Sequence, residues 1–276
     1  PRYAALFLRS STGFGYTPRL PEGVGTLDGA TVEVAVAPEL FDAQDKSNLV
    51  LRNLVFRHAA SWWNNHRQTT AVQVEGDGQF GTHDILLEDV RIEHNNGKGL
   101  SVGGLRNGEL REVTVVASGN FGMGFHGLYN MLCRNLHVLD NNWRGRLSGS
   151  TIHGTGGMTW SGERMRFFSC RFNGNYGSGW RSDVWVIDVL AEDCQFNNND
   201  ATYGIFHELA WGPVVHRRCE VTGNDIGVQL TNCQNVTMDD CRLIDNEDLA
   251  LMFYAMPGRV SLSCLTVQVE SSGVVL

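Results

Sequence analysis

Nine short segments of the chain open in the same way, with an apolar residue, a variable residue and a second apolar residue. They start at Leu54, Val90, Val113, Leu136, Cys170, Cys194, Cys219, Cys241 and Leu265. The steps between them are 36, 23, 23, 34, 24, 25, 22 and 24 residues, and a near-constant period in this range marks stacked repeat units. Three positions past the second apolar residue stand Asn95, Ser118, Asn141, Asn175, Asn199, Asn224 and Asn246. An Asn at one fixed place per unit predicts a tight bend, because Asn tolerates left-handed backbone angles and its amide can bond backbone or the Asn of the next unit. A glycine and a short alternating run then follow, as in Gly99-Leu100-Ser101-Val102, Gly124-Phe125-His126, Gly179-Trp180-Arg181, Gly204-Ile205-Phe206 and Gly227-Val228-Gln229-Leu230. Each unit therefore reads as strand, bend, strand.

Composition narrows the architecture. The chain has 32 Gly, 6 Pro and 42% hydrophobic residues among 276, and it lacks the long period-3.6 runs that helical repeats need. A unit of roughly 23 residues with short strands and Asn bends is a coil of a parallel β-helix. The expected fold is all-β, a solenoid of about nine coils spanning residues 48–276, with residues 1–47 as N-terminal capping strands. These repeats resemble the right-handed parallel β-helix proteins of the pectate lyase-like superfamily, and that resemblance supplies the handedness. It also implies a carbohydrate-active protein, extracellular or periplasmic.

Charge and cysteines exclude several classes. A net charge of −8 argues against nucleic acid, whose binders carry basic stripes, and no apolar run reaches membrane-spanning length. No secretion signal is visible, and a chain running from Pro1 to a strand-like Ser-Gly-Val-Val-Leu suits a processed or trimmed piece. Of seven cysteines, Cys170, Cys194, Cys219 and Cys241 take the slot that Leu and Val fill in other units, which predicts small apolar groups stacked inside. Cys-x-x-Cys does not occur, so no structural metal or cofactor is expected.

Two coils are about ten residues too long, and in a solenoid the excess leaves as loops, often on the binding face. One insertion, between Phe56 and Asp84, holds Trp62, Trp63 and His66; the other, from Asn142 to Trp160, holds Trp143, Arg144, His153 and Trp160. Indoles beside Arg, Asn and His suit a sugar ring, whose apolar face stacks while its hydroxyls need polar partners. Some of these Trp could equally cover junctions between loop and core. Counting from the glycines and alternating sides along each strand, Asp183 and Glu208 fall in one outward column on consecutive coils, His126 and Arg181 fall in the neighbouring outward column, and His207 faces inward. Coils stack about 4.8 Å apart, which predicts carboxyl groups roughly 5 Å apart. Such a pair cannot comfortably hold two negative charges. The less solvated one would be an acid beside a carboxylate, as in a retaining glycoside hydrolase.

The strings Asn175-Tyr-Gly-Ser-Gly-Trp180-Arg-Ser-Asp183 and Gly204-Ile-Phe-His-Glu208 look like a motif pair of β-helix proteins that resemble glycoside hydrolases. Many such relatives carry Gly-Gly-Ile-Lys in the preceding coil, where this chain has Gly156-Gly157-Met158-Thr159-Trp160. The expectation is a hydrolase of a polysaccharide or oligosaccharide with Asp183 and Glu208 catalytic and Arg181, His126, Trp143, Arg144, His153, Trp160, Trp62, Trp63 and His66 binding substrate. Two rivals stand beside it. A lyase of a uronic-acid polymer would use Arg181 with His126 or Arg144, and in related lyases often calcium; the Asp-Pro-His-Asp string associated with alginate epimerases is absent. A non-catalytic glycan-binding or adhesive module is the other. A zinc protease is excluded, because His207-Glu208 lacks the second His of its motif. Oligomeric state is not written in the sequence.

Overall fold

The structure is a computed structural model that describes residues 37–60, 69–76, 82–148 and 154–268. Residues 37–276 form one unit, and residues 1–36, most of the expected cap, lie outside the described part. The sheet already begins inside the expected cap, where Phe41–Asp42 pairs in parallel with Thr70–Glu75. The unit is a parallel β-helix of about eight turns. A first sheet of nine strands runs in the order Phe41–Asp42, Thr70–Glu75, Lys98–Gly103, Met123–His126, Thr155–Thr159, Ser178–Ser182, Tyr203–Glu208, Ile226–Thr231 and Leu249–Tyr254. A second sheet has twelve strands, and a third has three, Glu220–Thr222, Arg242–Ile244 and Thr266–Gln268. The described residues contain one helix, Trp143–Ser148, inside the second insertion.

The corners explain the period. The residue before every apolar slot has positive φ, namely Asn53, Asp89, Glu112, Asn135, Ser169, Asp193, Arg218, Asp240 and Cys264. A second set, His94, Ala117, Asp140, Gly174, Asn198, Gly223 and Asp245, precedes every member of the Asn series. The left-handed residue is thus the neighbour of the expected Asn, and the Asn itself has another task. All seven residues of the series are buried, and Asn141, Asn175, Asn199 and Asn224 each donate from Nδ2 to the Oδ1 of the next Asn at 3.0 Å. The same Oδ1 atoms accept from backbone N–H groups at 2.9–3.2 Å. Each Nδ2 also donates to a backbone carbonyl, as Asn175 does to Val138 O and Asn199 to Phe172 O, so each of these buried amides is satisfied by its copy one coil on together with the backbone.

That amide ladder also fixes the glycines. Strand pairing places Ala71, Gly99, Gly122, Gly156, Gly179, Gly204, Gly227 and Ala250 in one column. A Cβ on Gly122, Gly156 or Gly179 would stand 2.4–2.5 Å from the Nδ2 of Asn141, Asn175 or Asn199. The member of the fourth coil is therefore Gly122, two residues before the Gly124 that the sequence pattern suggested.

Inside, Cys170, Cys194, Cys219 and Cys241 are buried free thiols stacked coil on coil. Phe172 and Phe196 stack on each other at 5.4 Å, Trp180 packs beside both at ring separations of 6.1 Å and nearly parallel to them, and its indole N–H donates to Thr159 Oγ1 at 3.1 Å. Beside it His207 and His216 are fully buried, with their Nε2 atoms 2.8 Å apart and His207 Nδ1 2.5 Å from Ser182 Oγ. Burial, and for His207 also the other imidazole, pushes both below the usual histidine range, His216 down to about 4.

Two outcomes follow. Asn199→Ala leaves the backbone N–H of Asn175 without its acceptor and takes one of two partners from Asn175 Nδ2 and from Asn224 Oδ1, and is expected to cost about 3 kcal/mol, read as a lowered denaturation midpoint. The histidines stay neutral when folded while the unfolded chain takes up protons below about pH 6.5, so stability is full above that pH and falls as pH drops toward 4. His216 alone contributes a loss of about 2 kcal/mol at pH 5; urea midpoints of the wild type and His216→Gln between pH 7 and 4.5 measure it, with a flatter slope expected in the variant.

Candidate functional site

The first sheet carries the site on its outer face. Its register places Gln73, Ser101, Gly124, Met158, Arg181, Phe206, Gln229 and Met252 in one outward column. The next outward column holds Glu75, Gly103, His126, Trp160, Asp183, Glu208, Thr231 and Tyr254 in that order, the Trp160 and Asp183 places following from Trp160 N–H to Phe125 O at 2.9 Å and Asp183 N–H to Thr159 O at 2.8 Å. Asp183 and Glu208 share a column on consecutive coils. His126 belongs to that same column and not to the column of Arg181, because the glycine in its coil is Gly122. From Glu75 to Glu208 is five coil steps, roughly 24 Å along the stack.

Arg181 organises the acidic end. Its Nη2 lies 3.1 Å from Glu208 Oε2, a hydrogen bond, and 3.6 Å from Asp183 Oδ2. Those two oxygens are therefore at most 6.7 Å apart, the sum of the two distances. The guanidinium also lies over the Phe206 ring at 4.9 Å, and Phe206 meets Tyr203 at 5.0 Å. The expected pair is thus part of a carboxylate, guanidinium, carboxylate triad, with one cation in reach of both acidic groups. All three side chains are part-exposed, Asp183 at 23% and Glu208 at 31%.

The other end of the column carries mixed charge. Glu75 accepts from Ser101 Oγ and from Gln73 Nε2, and its Oε2 is 3.9 Å from His126 Nε2. That reach spans two coils because the residue between them is Gly103, where a Cβ would stand 2.1 Å from the imidazole. Lys98 extends over the rings of Phe121 and Trp160 at 5.5 and 5.6 Å. Desolvation pushes its amine below the usual lysine range, with Glu75 partly opposing. Trp160, edge-on to Phe121 at 5.7 Å, stands between His126 and Asp183.

Other expected residues fall elsewhere. Arg144 is buried at 7% exposure under the insertion, where its N–H bonds Gly119 O at 3.1 Å and burial pushes its guanidinium down to about 10. It anchors the helix Trp143–Ser148 and does not present itself to a substrate. Trp143 is half-buried beneath the Arg144 guanidinium. Trp62, Trp63, His66 and His153 lie outside the described residues. The sequence pattern left Glu75, Lys98, Trp185 and Trp211 unassigned; the first becomes visible once the columns are counted from Gly122. Among the described residues no group of three or more His, Cys, Asp and Glu side chains could hold a metal. The calcium that related lyases use does not fit Asp183 and Glu208, because Arg181 occupies the space between their oxygens.

A family profile described as right handed beta helix region matches residues 70–225, more than half of the chain. The chain belongs to the right handed beta helix family. The match covers the coils from Glu75 through Glu208, so the column described above lies wholly within it. Among solved structures the fold is similar to an alginate lyase from Paenibacillus sp. str. FPU-7, with TM-score 0.60 and 12% identity over 73% of this chain and 75% of that one. It is similar also to the A-module of the Azotobacter vinelandii mannuronan C-5 epimerase, with TM-score 0.61 and 12% identity over 84% and 74%. A periplasmic alginate epimerase superposes with TM-score 0.56 and 12% identity over 78% and 58%. At these identities the likeness is one of fold. No curated protein is matched by the sequence. No described helix is long and apolar enough to cross a membrane.

The triad makes a prediction that is independent of activity. Arg181→Met leaves two carboxylates facing each other, so the variant is expected to be about 1 kcal/mol less stable than wild type at pH 7. The difference is read as a lowered melting temperature of Arg181→Met at pH 7; an unchanged melting temperature contradicts the triad.

Proposed function

We propose that the protein is a glycoside hydrolase acting on a polysaccharide or oligosaccharide laid on the outer face of the first sheet, with Asp183 and Glu208 as its catalytic carboxylates. The observation that carries this reading is their joint contact with one guanidinium nitrogen, which holds two carboxyl groups side by side on an open face. Retaining hydrolases use carboxyl groups about 5–5.5 Å apart and inverting ones about 6.5–9.5 Å. An upper bound of 6.7 Å between the two nearest oxygens favours the retaining arrangement. Glu208 takes the hydrogen bond from Arg181, which suits the group that has to stay charged as nucleophile. Asp183 is farther from the cation and less exposed, which suits the group that delivers a proton to the leaving oxygen and later removes one from water. Trp160, next in the column, offers an indole to the neighbouring sugar, and His126 and Glu75 offer polar contacts one and three coils beyond it.

A second reading has its own support. The three similar structures named above act on alginate by their names, and Lys98, His126 and Arg181 are cations on the same face that could neutralise a uronate carboxylate during β-elimination or epimerisation. Against it, each of these cations already has a carboxylate nearby, Glu75 or the Asp183–Glu208 pair. Either substrate would be met outside the cytoplasm, so an extracellular or periplasmic location accompanies both readings.

Incubation with a panel of neutral and uronic polysaccharides separates them. New reducing ends without ultraviolet absorbance support hydrolysis, and absorbance from an unsaturated product supports the lyase. Asp183→Asn and Glu208→Gln are each expected to lower the hydrolytic rate about 10³-fold with unchanged melting temperature; a rate within a factor of a few of wild type would remove the pair from the mechanism.

A further inference from the structure

The corner that follows the site column carries two exposed indoles. Trp185 is 64% exposed and Trp211 51%, with ring centroids 6.4 Å apart and planes tilted by 34°. In sequence they stand two residues after Asp183 and three after Glu208, on the same two coils.

Comparison of the corners coil by coil shows that neither indole is needed to close the stack. The inward place at the corner is filled by Leu105, Leu128, Gly162, Val186 and Ala210, which pair in register, and its four side chains are buried at 0–3% exposure. The place just before it is Gly104, Gly127, Ser161, Trp185 and Leu209. Gly104 and Gly127 adopt φ of +56° and +58° there, and Trp185 adopts +63°. One residue separates the column from the inward corner place at Gly104, Gly127, Ser161 and Leu209, whereas Val184 and Trp185 both intervene after Asp183. Val184 is left-handed too, at +45°, a conformation that a β-branched side chain adopts at a cost. Leu209 adopts +55° in the same place, so the left-handed turn belongs to the corner, and the inserted left-handed Val184 is what sets the Trp185 corner apart from the others. Trp211, in the place held by Arg106, Tyr129, Glu163 and Ile187 on other coils, is set by its N–H bond to Val186 O at 3.1 Å. On earlier coils the same corner opens on a depression of about 430 Å³ lined by Gly104, Leu105, Arg106, Gly127 and Tyr129.

We infer that Trp185 and Trp211 form a stacking ledge for a pyranose unit of the glycan, next to the unit held at Asp183 and Glu208. The inference rests on the carbohydrate reading above. It adds that the glycan reaches sideways over the corner between the first and second sheets, and not along the column alone. Indole faces present a large apolar area at low entropic cost and match the C–H face of a sugar ring. The same two indoles could instead bury against a second copy of this chain, and the experiment separates the two.

Affinity electrophoresis of the intact chain is run in gels containing laminarin, arabinoxylan, polygalacturonate or alginate, with melting temperatures checked for every variant. Wild type is expected to be retarded in at least one gel, and Trp185→Ala/Trp211→Ala to lose at least tenfold in affinity. Trp185→Phe/Trp211→Phe, which keeps an aromatic face, should recover most of it. The ledge is overturned if the double alanine variant runs like wild type, if no gel retards wild type, or if light scattering shows wild-type oligomers that the double alanine variant dissolves while retardation is unchanged. Full hydrolytic activity in Asp183→Asn and Glu208→Gln with the tryptophan effect intact would instead remove the hydrolase reading and leave the ledge.

Discussion

Everything on the first sheet depends on the hydrogen bonds of one buried amide ladder. Asn141, Asn175, Asn199, Asn224 and Asn246 sit where water does not reach, and a carboxamide there costs several kcal/mol unless both its ends are satisfied. The satisfying partners are the same residue one coil away and a backbone carbonyl. The ladder therefore locks each coil to the next in a single register, since a slip of one residue would strand every amide at once. It also removes the Cβ from the facing column, because Gly122, Gly156, Gly179, Gly204 and Gly227 have no room for one beside the amide nitrogens. Counting outward from those glycines fixes which side chains reach solvent, and this count places Asp183 against Glu208.

The ladder also explains how function is added without disturbing the fold. Inward places behind the site are closed by Trp180 stacked on Phe172 and Phe196 and by the His207 and His216 pair. The outward places between them are free to vary, and they do so from Glu75 through Gly103 and His126 to Trp160, Asp183 and Glu208. The changes that cost backbone energy are confined to corners. Left-handed Asn, Asp and Gly make the ordinary bends, and the one corner that carries Val184 and Trp185 departs from the others beside the carboxylates.

Much of this was legible in the sequence, and the part that was not has a physical reason. The apolar slots and the Asn series read directly, because each is defined by spacing alone, and the cysteines of those slots lie where Leu and Val lie. The register of the first-sheet strands was legible only in part. Gly122 and Gly124 both flank an alternating run, and nothing local distinguishes them; contact with Asn141 does, and that contact is non-local. The two-residue difference moved His126 into the column of Asp183 and replaced Leu128 there. Arg144 reads from sequence as a loop cation, and only the packing of the helix against Gly119 shows that it lies underneath.

The electrostatics of the site could not be read from a column at all. Spacing shows that Asp183 and Glu208 are about one strand separation apart, and from that alone like-charge repulsion is the natural conclusion. Arg181 lies in the adjacent column, where the sequence already offers it, like Arg217, as a partner for Glu208; alternation does not show that its side chain also reaches Asp183. With the guanidinium 3.1 and 3.6 Å from the two carboxyl groups, the pair faces a shared cation and not only its own like charge. In the hydrolase reading, a substrate on this face has to engage or displace Arg181 before either carboxyl group can reach it.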